Sequence, residues 1–183
     1  MTKVLLIAPL SKEYSGVRNY GVPPIGVHRL ASFLSSRGQQ VDIYDCNIHQ
    51  QAYLEGLLQK NPDIIGISVL NDTLHESIEL FIKLRERFPT TLLVGGNAEA
   101  ILNYQELFEN TDINAVILGE GERQMLQLCL GKPIEEIQGI IYRTRCPQIT
   151  NHLLWTYYEH LDFIKMGWRE YWKKNQELGD DQK

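Results

Sequence analysis

The chain has 183 residues, 43 % of them hydrophobic, enough for one globular domain with a proper buried core. Its net charge of −5 and scattered Lys and Arg offer no basic stripe for nucleic acid or an anionic membrane surface, and its longest apolar runs are too short to span a bilayer. Three widely spaced cysteines, Cys46, Cys129 and Cys146, argue against a disulfide framework or a local metal cluster and for a reducing cytoplasm.

Short apolar runs alternate with helical patterns along the chain. The N-terminal stretch has no small-residue cleavage site after it, so Lys3–Ala8 reads as a strand buried on both faces rather than as a signal segment. A long loop follows. The spacing predicts a helix over Pro24–Arg37, with proline in its first turn and Gly38 at its end. Val41–Tyr44 reads as a strand, Gln50–Gln59 as a helix, Ile64–Val69 as a strand and Leu74–Phe88 as a helix closed by Pro89. Thr91–Val94 is a strand ending in Gly95-Gly96. A helix around Tyr104–Phe108 leads to a strand over Ala115–Leu118. Glu122–Leu130 is a helix closed by Gly131, and Gly139–Arg143 an edge strand.

Five strand-then-helix repeats predict an α/β fold: a flavodoxin-like (Rossmann-like) open parallel sheet with helices on both faces, since parallel strands need crossovers. In the strand order 2-1-3-4-5 a ligand crevice lies at the carboxyl ends of the first and third strands. The α/β domain is expected over residues 1–146. Residues 147–183 read as an aromatic-rich helical tail in which Leu161, Ile164, Trp168 and Trp172 fall near one face. That face either packs back on the domain or docks a second domain or partner.

Several nucleotide-fold chemistries are missing. The first loop lacks GxGxxG, and no Walker-type phosphate loop occurs. The strand ends lack the acidic set of a phospho-receiver, and no GxSxG elbow is present. Instead, small residues gather at successive strand ends: Ser68 and Leu70, then Gly95, Gly96 and Asn97, then Gly119, Glu120 and Gly121. Singly these are turn chemistry; on one rim beside a long first loop they suggest a slot for a flat aromatic group, with Ser68 as a hydrogen-bond partner. A valine at Gly95 or Gly96 is expected to fill that slot while the fold survives.

The segments PPIGVHRLASFLSSRGQQVDIYD, PDIIGISVL, LLVGGNAEA, AVILGEGE and IQGIIYR together resemble the cobalamin-binding domain of cobalamin-dependent radical S-adenosylmethionine enzymes, over about Lys3 to Arg143. The family pattern is DxHxxG, then SxL, then GG. Here Gly26 is followed by residues 27–67, then Ser68-Val69-Leu70, then residues 71–94, then Gly95-Gly96; the first spacing fits and the second is slightly short.

The resemblance implies that Gly21–Gly26 occupies the DxHxxG slot, with Pro23 in place of the lower axial histidine and Gly21 in place of its orienting Asp. It implies cobalamin held base-off with no metal ligand from the protein. The benzimidazole tail would enter the slot lined by Ser68, Leu70, Gly95 and Gly96, and the loop from Tyr14 to Val22 would cover the lower corrin face. Tyr20, Val22, Pro23, Gly26, Asn97, Gly119, Glu120 and Gly121 complete the implied binding set. Glu120 and Glu122 would hydrogen-bond corrin amides or ribose, or simply begin a helix. His28, His49 and His75 read as packing or solvent-facing residues.

No CxxxCxxC occurs, so no catalysis is expected from this chain alone. The chain starts directly at its first strand, leaving no room for a four-helix cap. The expected role is a cobalamin-binding module, either the N-terminal part or a stand-alone relative of a radical enzyme, with a radical S-adenosylmethionine domain or protein as partner. Two alternatives stand beside it: a flavodoxin-like regulatory or interaction module without cofactor, and a cobalamin-responsive sensor.

Overall fold

The computed structural model describes residues 1–9, 24–46 and 48–142. The expected cover loop with Tyr20, Val22 and Pro23, and the expected tail over 147–183, lie outside those residues.

The elements are β1 (Lys3–Ala8), α1 (Ile25–Ser35), β2 (Gln40–Asp45), α2 (Gln51–Leu58), β3 (Ile64–Ser68), α3 (Leu74–Arg87), β4 (Leu92–Gly96), α4 (Ala98–Leu102), α5 (Tyr104–Asn110), β5 (Ala115–Ile117), α6 (Glu122–Cys129) and β6 (Ile140–Tyr142). The sheet order is β2-β1-β3-β4-β5-β6. The first five strands are parallel, as the alternating pattern predicts. A parallel sheet covered on both faces needs strands that are apolar throughout, and Val4 to Ala8 are each at most 6 % exposed.

Strand alternation sorts the core into two layers. Val4, Leu6, Ile64, Val94, Ala115 and Ile117 pack with Val27, Ala31 and Leu34 of α1 and with Met125 and Leu128 of α6. The intervening residues Leu5, Ile7, Ile65, Ile67 and Leu93 are likewise buried, as are Phe81 and Leu84 of α3 and Leu107 of α5. In α1 the buried positions Val27, Ala31 and Leu34 recur at helical spacing.

The structure refines three points. β4 ends in Gly95 and Gly96 as expected, and both are strand residues in register with Ile67 and Ser68. Ahead of the helix expected near Tyr104 stands a further one-turn helix, α4, whose N-cap is Asn97. β6, the expected edge strand, runs antiparallel to β5, a direction that the sequence pattern leaves open. Its direction follows from the path of the chain. The segment after α6 climbs back along the apolar layer through Ile134 and Ile137, and Gly139 reaches the carboxyl end of β5, where its carbonyl accepts from Leu118 N at 2.8 Å.

Side chains knit the amino edge of the sheet. Arg85 Nη1 donates to the carbonyls of Phe88, Pro89 and Thr91 at 3.1, 2.8 and 3.1 Å. Its Nε and Nη2 reach Asp112 O, and Nη2 also reaches Asn114 Oδ1 at 2.7 Å. Asn114 Oδ1 in turn accepts from Leu93 N at 2.8 Å, tying α3, β4 and the approach to β5 into one network.

Candidate functional site

The carboxyl edge is built differently. Alternation decides which way each rim residue faces. A Cβ on Gly66 would stand 3.0 Å from Leu6 Cδ2 and 3.8 Å from Met125 Cε, so Gly66 faces the α1–α6 layer. Ser68, two residues on, shares that face, and its register partner Gly96 lies beside it on β4. Nothing stands within 4 Å of the position a Gly96 Cβ would take. Ser68 and Gly96 therefore border open space at the top of the sheet, with Leu6 and Met125 as an apolar floor below.

Gly95 faces the other way. Its Cβ would lie 3.6 Å from Ala100 Cβ and Val116 Cγ2 and 3.8 Å from Leu107 Cδ1. The expectation that both glycines open into one slot thus divides. Gly96 borders the open space and Gly95 the packed layer of α4, α5 and β5, because consecutive strand residues point to opposite faces.

Asn97 holds a backbone of φ 80° and ψ 172°, a region used almost only by glycine. Two side-chain contacts hold it there: Oδ1 accepts from Ala98 N at 2.7 Å, and Nδ2 donates to Ser68 Oγ at 3.2 Å. Ser68 is thereby oriented from β4. Leu70 lies two residues beyond β3, where Thr73 Oγ1 accepts from its N–H at 3.0 Å. Leu70 is 44 % exposed, and Ile25 at the start of α1 is 43 % exposed, so the rim presents apolar surface. Gly26, in the first turn of α1, has no neighbour within 4 Å of its Cβ position.

On the far side of the rim, Gly119 and Gly121 take positive φ of 79° and 86°. This tight turn brings Glu120 toward α1, where its Oε2 meets Arg29 Nη1 at 3.1 Å. Glu122, the first residue of α6, places Oε1 2.9 Å from Arg29 Nε. Gly66, Met125 and Arg29 join the site though sequence reasoning did not single them out. Gly66 does carry a sequence signal, a glycine inside an apolar strand, which marks close approach.

The histidines take other places. His49 Nδ1 accepts from Asp45 N at 3.0 Å, and the ring lies between Tyr44 and Tyr53 at 5.9 and 4.4 Å. That hydrogen bond occupies Nδ1. Beside it, burial and then the neighbouring Cys46 push the Tyr44 phenol up to about 12. His28 is exposed on α1, and His75 pairs with Glu79 on the surface of α3. Among the described residues no group of three or more His, Cys, Asp or Glu is placed to hold a metal ion, and no helix is long and apolar enough to cross a membrane.

A hollow of about 400 Å³ opens at the amino edge between Arg85, Leu92, Asn114 and Tyr142. Arg85, the cation in its wall, already donates to backbone carbonyls and Asn114, so the hollow lacks the convergent polar groups of a recognition site. The polar side chains of the carboxyl rim are the Ser68–Asn97 and Arg29–Glu120 pairs, beside the open space at Gly96. The parallel-sheet rule places ligands there as well.

A family model described as the B12 binding domain matches residues 14–128. Among solved structures, the chain is similar to the cobalamin-dependent S-adenosylmethionine radical enzyme OxsB with aqua-cobalamin and S-adenosylmethionine bound, at TM-score 0.66 and 19 % identity over 78 % of this chain and 21 % of that one. It is also similar to the radical S-adenosylmethionine methyltransferase TsrM from Kitasatospora setae with cobalamin and a [4Fe-4S] cluster bound, at TM-score 0.62 and 20 % identity over 78 % of this chain and 27 % of that one. The chain thus spans about a fifth to a quarter of those proteins. A search of curated proteins gave no match.

Proposed function

The chain belongs to the B12-binding domain family, and from that premise we propose that it holds cobalamin base-off at the carboxyl rim, with the nucleotide base between the sheet and the α1–α6 layer. The observation that carries this is the open space at Gly96 beside Ser68. Both lie on the face whose floor is Leu6, Gly66 and Met125, and both stand in the motif positions for the tail. An apolar floor with one oriented hydroxyl at its mouth suits a benzimidazole, which is flat, apolar and carries a ring nitrogen able to accept from Ser68 Oγ. The exposed Leu70 and Ile25 suit the broad apolar edge of a macrocycle.

Pro23 stands in the slot of the lower axial histidine and has no donor for cobalt. His49 is held on a backbone amide. Bound at this site, cobalamin would receive no imidazole from the first-loop motif, and that would change the electronic setting of the cobalt. Bound cobalamin supplies the capacity to carry a methyl group. This chain contributes binding and orientation, and a radical S-adenosylmethionine domain or protein supplies turnover. A cytoplasmic setting is consistent with the cysteine usage.

The test is a titration with hydroxocobalamin followed by visible spectra across pH. We expect one cobalamin per chain. The variant Pro23→His should give partial ligation that weakens as imidazole protonates below its ordinary pKa of about 6.5. Adding Gly21→Asp should firm that ligation by orienting the ring. If both variants bind cobalamin without a pH-dependent spectral change, the first loop is not the axial-ligand slot. If the wild-type chain binds none, the reading fails.

A further inference from the structure

α1 and α6 pack side by side on the sheet face that carries Gly66, Ser68 and Gly96, and one side chain ties them together at the carboxyl end. α1 follows β1 and α6 follows β5, so both helices begin at the carboxyl edge, where Ser68 and Gly96 end their strands. Arg29, in the second turn of α1, links the two helices there. Its Nη1 meets Glu120 Oε2 at 3.1 Å and its Nε meets Glu122 Oε1 at 2.9 Å. The guanidinium fork suits this double contact, since Nε and Nη1 donate in different directions from one rigid plane. The Glu122 side chain is only 12 % exposed, so that arm is partly shielded from solvent and salt. Glu120 is presented to Arg29 by two left-handed glycines, a turn built to bring a carboxylate across the opening.

We infer that Arg29 is the closing bar of the nucleotide slot: it bridges α1 to the start of α6 over a seated base and slows the departure of the cofactor's tail. This rests on the proposed cobalamin reading and concerns a positioning residue, since Arg29 acts through Glu120 and Glu122. A bar across the mouth of a groove affects whatever must pass it. It therefore discriminates between corrinoids that carry a nucleotide tail and those that do not. It also acts on dissociation more than on encounter, the common pattern when a contact in one interface is altered.

The experiment compares hydroxocobalamin with cobinamide, which has the same corrin but no nucleotide. Dissociation rates are measured by stopped-flow spectroscopy for the wild type, Arg29→Gln, the double variant Glu120→Gln/Glu122→Gln and Arg29→Lys. Two partly exposed ion pairs predict that Arg29→Gln and the double variant each raise the cobalamin dissociation rate about five- to tenfold. Cobinamide dissociation should stay unchanged. Arg29→Lys should recover part of the effect, because a point charge keeps one arm of the bridge. High salt should speed dissociation from the wild type and not from Arg29→Gln. Equal cobalamin rates in wild type and variants would overturn the inference while leaving the cobalamin reading intact. So would a rise shared by cobinamide, which would mark the bridge as a general fold contact. If the wild-type chain holds neither corrinoid, the cobalamin reading falls and the inference with it.

Discussion

The two ends of one sheet are held in opposite ways. At the amino edge Arg85 gathers four carbonyls and Asn114, and Thr91 Oγ1 donates to Pro62 O from a buried position. At the carboxyl edge the strands end in glycine and serine, Asn97 sits in a region used almost only by glycine, and the side-chain tie between α1 and α6 is a partly exposed ion-pair bridge. The difference teaches where such a fold keeps its stability and where it leaves room. Hydrogen-bonded closure at one end allows the other to keep space that packing would otherwise fill.

The largest break in the comparison should come from Arg85→Ala. It removes charged hydrogen bonds to carbonyls that are partly or fully solvent-exposed, so we expect a loss of about 2–3 kcal/mol in chemical denaturation. The folded fraction should still bind cobalamin with unchanged affinity. An affinity loss as large as the stability loss would mean that the two edges are not separable.

The two adjacent glycines give the sharpest contrast. Gly95→Val should cost about 1–3 kcal/mol of stability by crowding Ala100, Val116 and Leu107, because a packed layer cannot expand cheaply. Gly96→Val should leave the denaturation midpoint almost unmoved and abolish cobalamin binding. The reverse assignment, with Gly95→Val folding normally and Gly96→Val unfolding, would place the open space on the wrong face.

A smaller effect is expected at Asn97. Asn97→Ala loses the cap on Ala98 N and keeps the positive φ, which predicts a cost of about 1–2 kcal/mol in thermal or chemical melts. Asn97→Gly should recover most of that stability by relieving the backbone, but not the orientation of Ser68.

The smallest concerns the surface pair of Glu55 on α2 with Arg87 on α3, 2.6 Å apart. The Arg87 hydrogen bond holds the Glu55 carboxyl below its ordinary 4.5. A depressed carboxyl pKa stabilises the fold above the unfolded value, and that contribution is lost as pH falls through the folded one. Since both partners of the pair are largely open to solvent and salt, Glu55→Gln should change the melting temperature within error at pH 7. A clear drop would show that surface pairs carry stability that we assign to the amino edge.

Much of this was legible in the sequence, for identifiable reasons. Buried parallel strands must be apolar throughout, so β1 and β3 announce themselves, and the helices after them follow from spacing. β6 was legible as an edge strand but not in its direction, which depends on Ile134 and Ile137 packing back along the sheet. The rim residues Ser68, Gly96 and Glu120 were legible as a set. Which way each faces was not, because the parity of Gly95 and Gly96 depends on where β4 pairs with β3. Arg29 was illegible for a similar reason: its partners lie ninety-one and ninety-three residues away and meet it only through the α1–α6 contact.

The central claim is that cobalamin sits at the carboxyl rim with its own base removed from cobalt and no protein nitrogen in its place. Electron paramagnetic resonance of the reduced cob(II)alamin complex reads this directly, because a coordinated nitrogen splits each cobalt line into a triplet. The account predicts cobalt lines without nitrogen splitting in the wild type, and triplets in Gly21→Asp/Pro23→His. Triplets in the wild-type complex would contradict it.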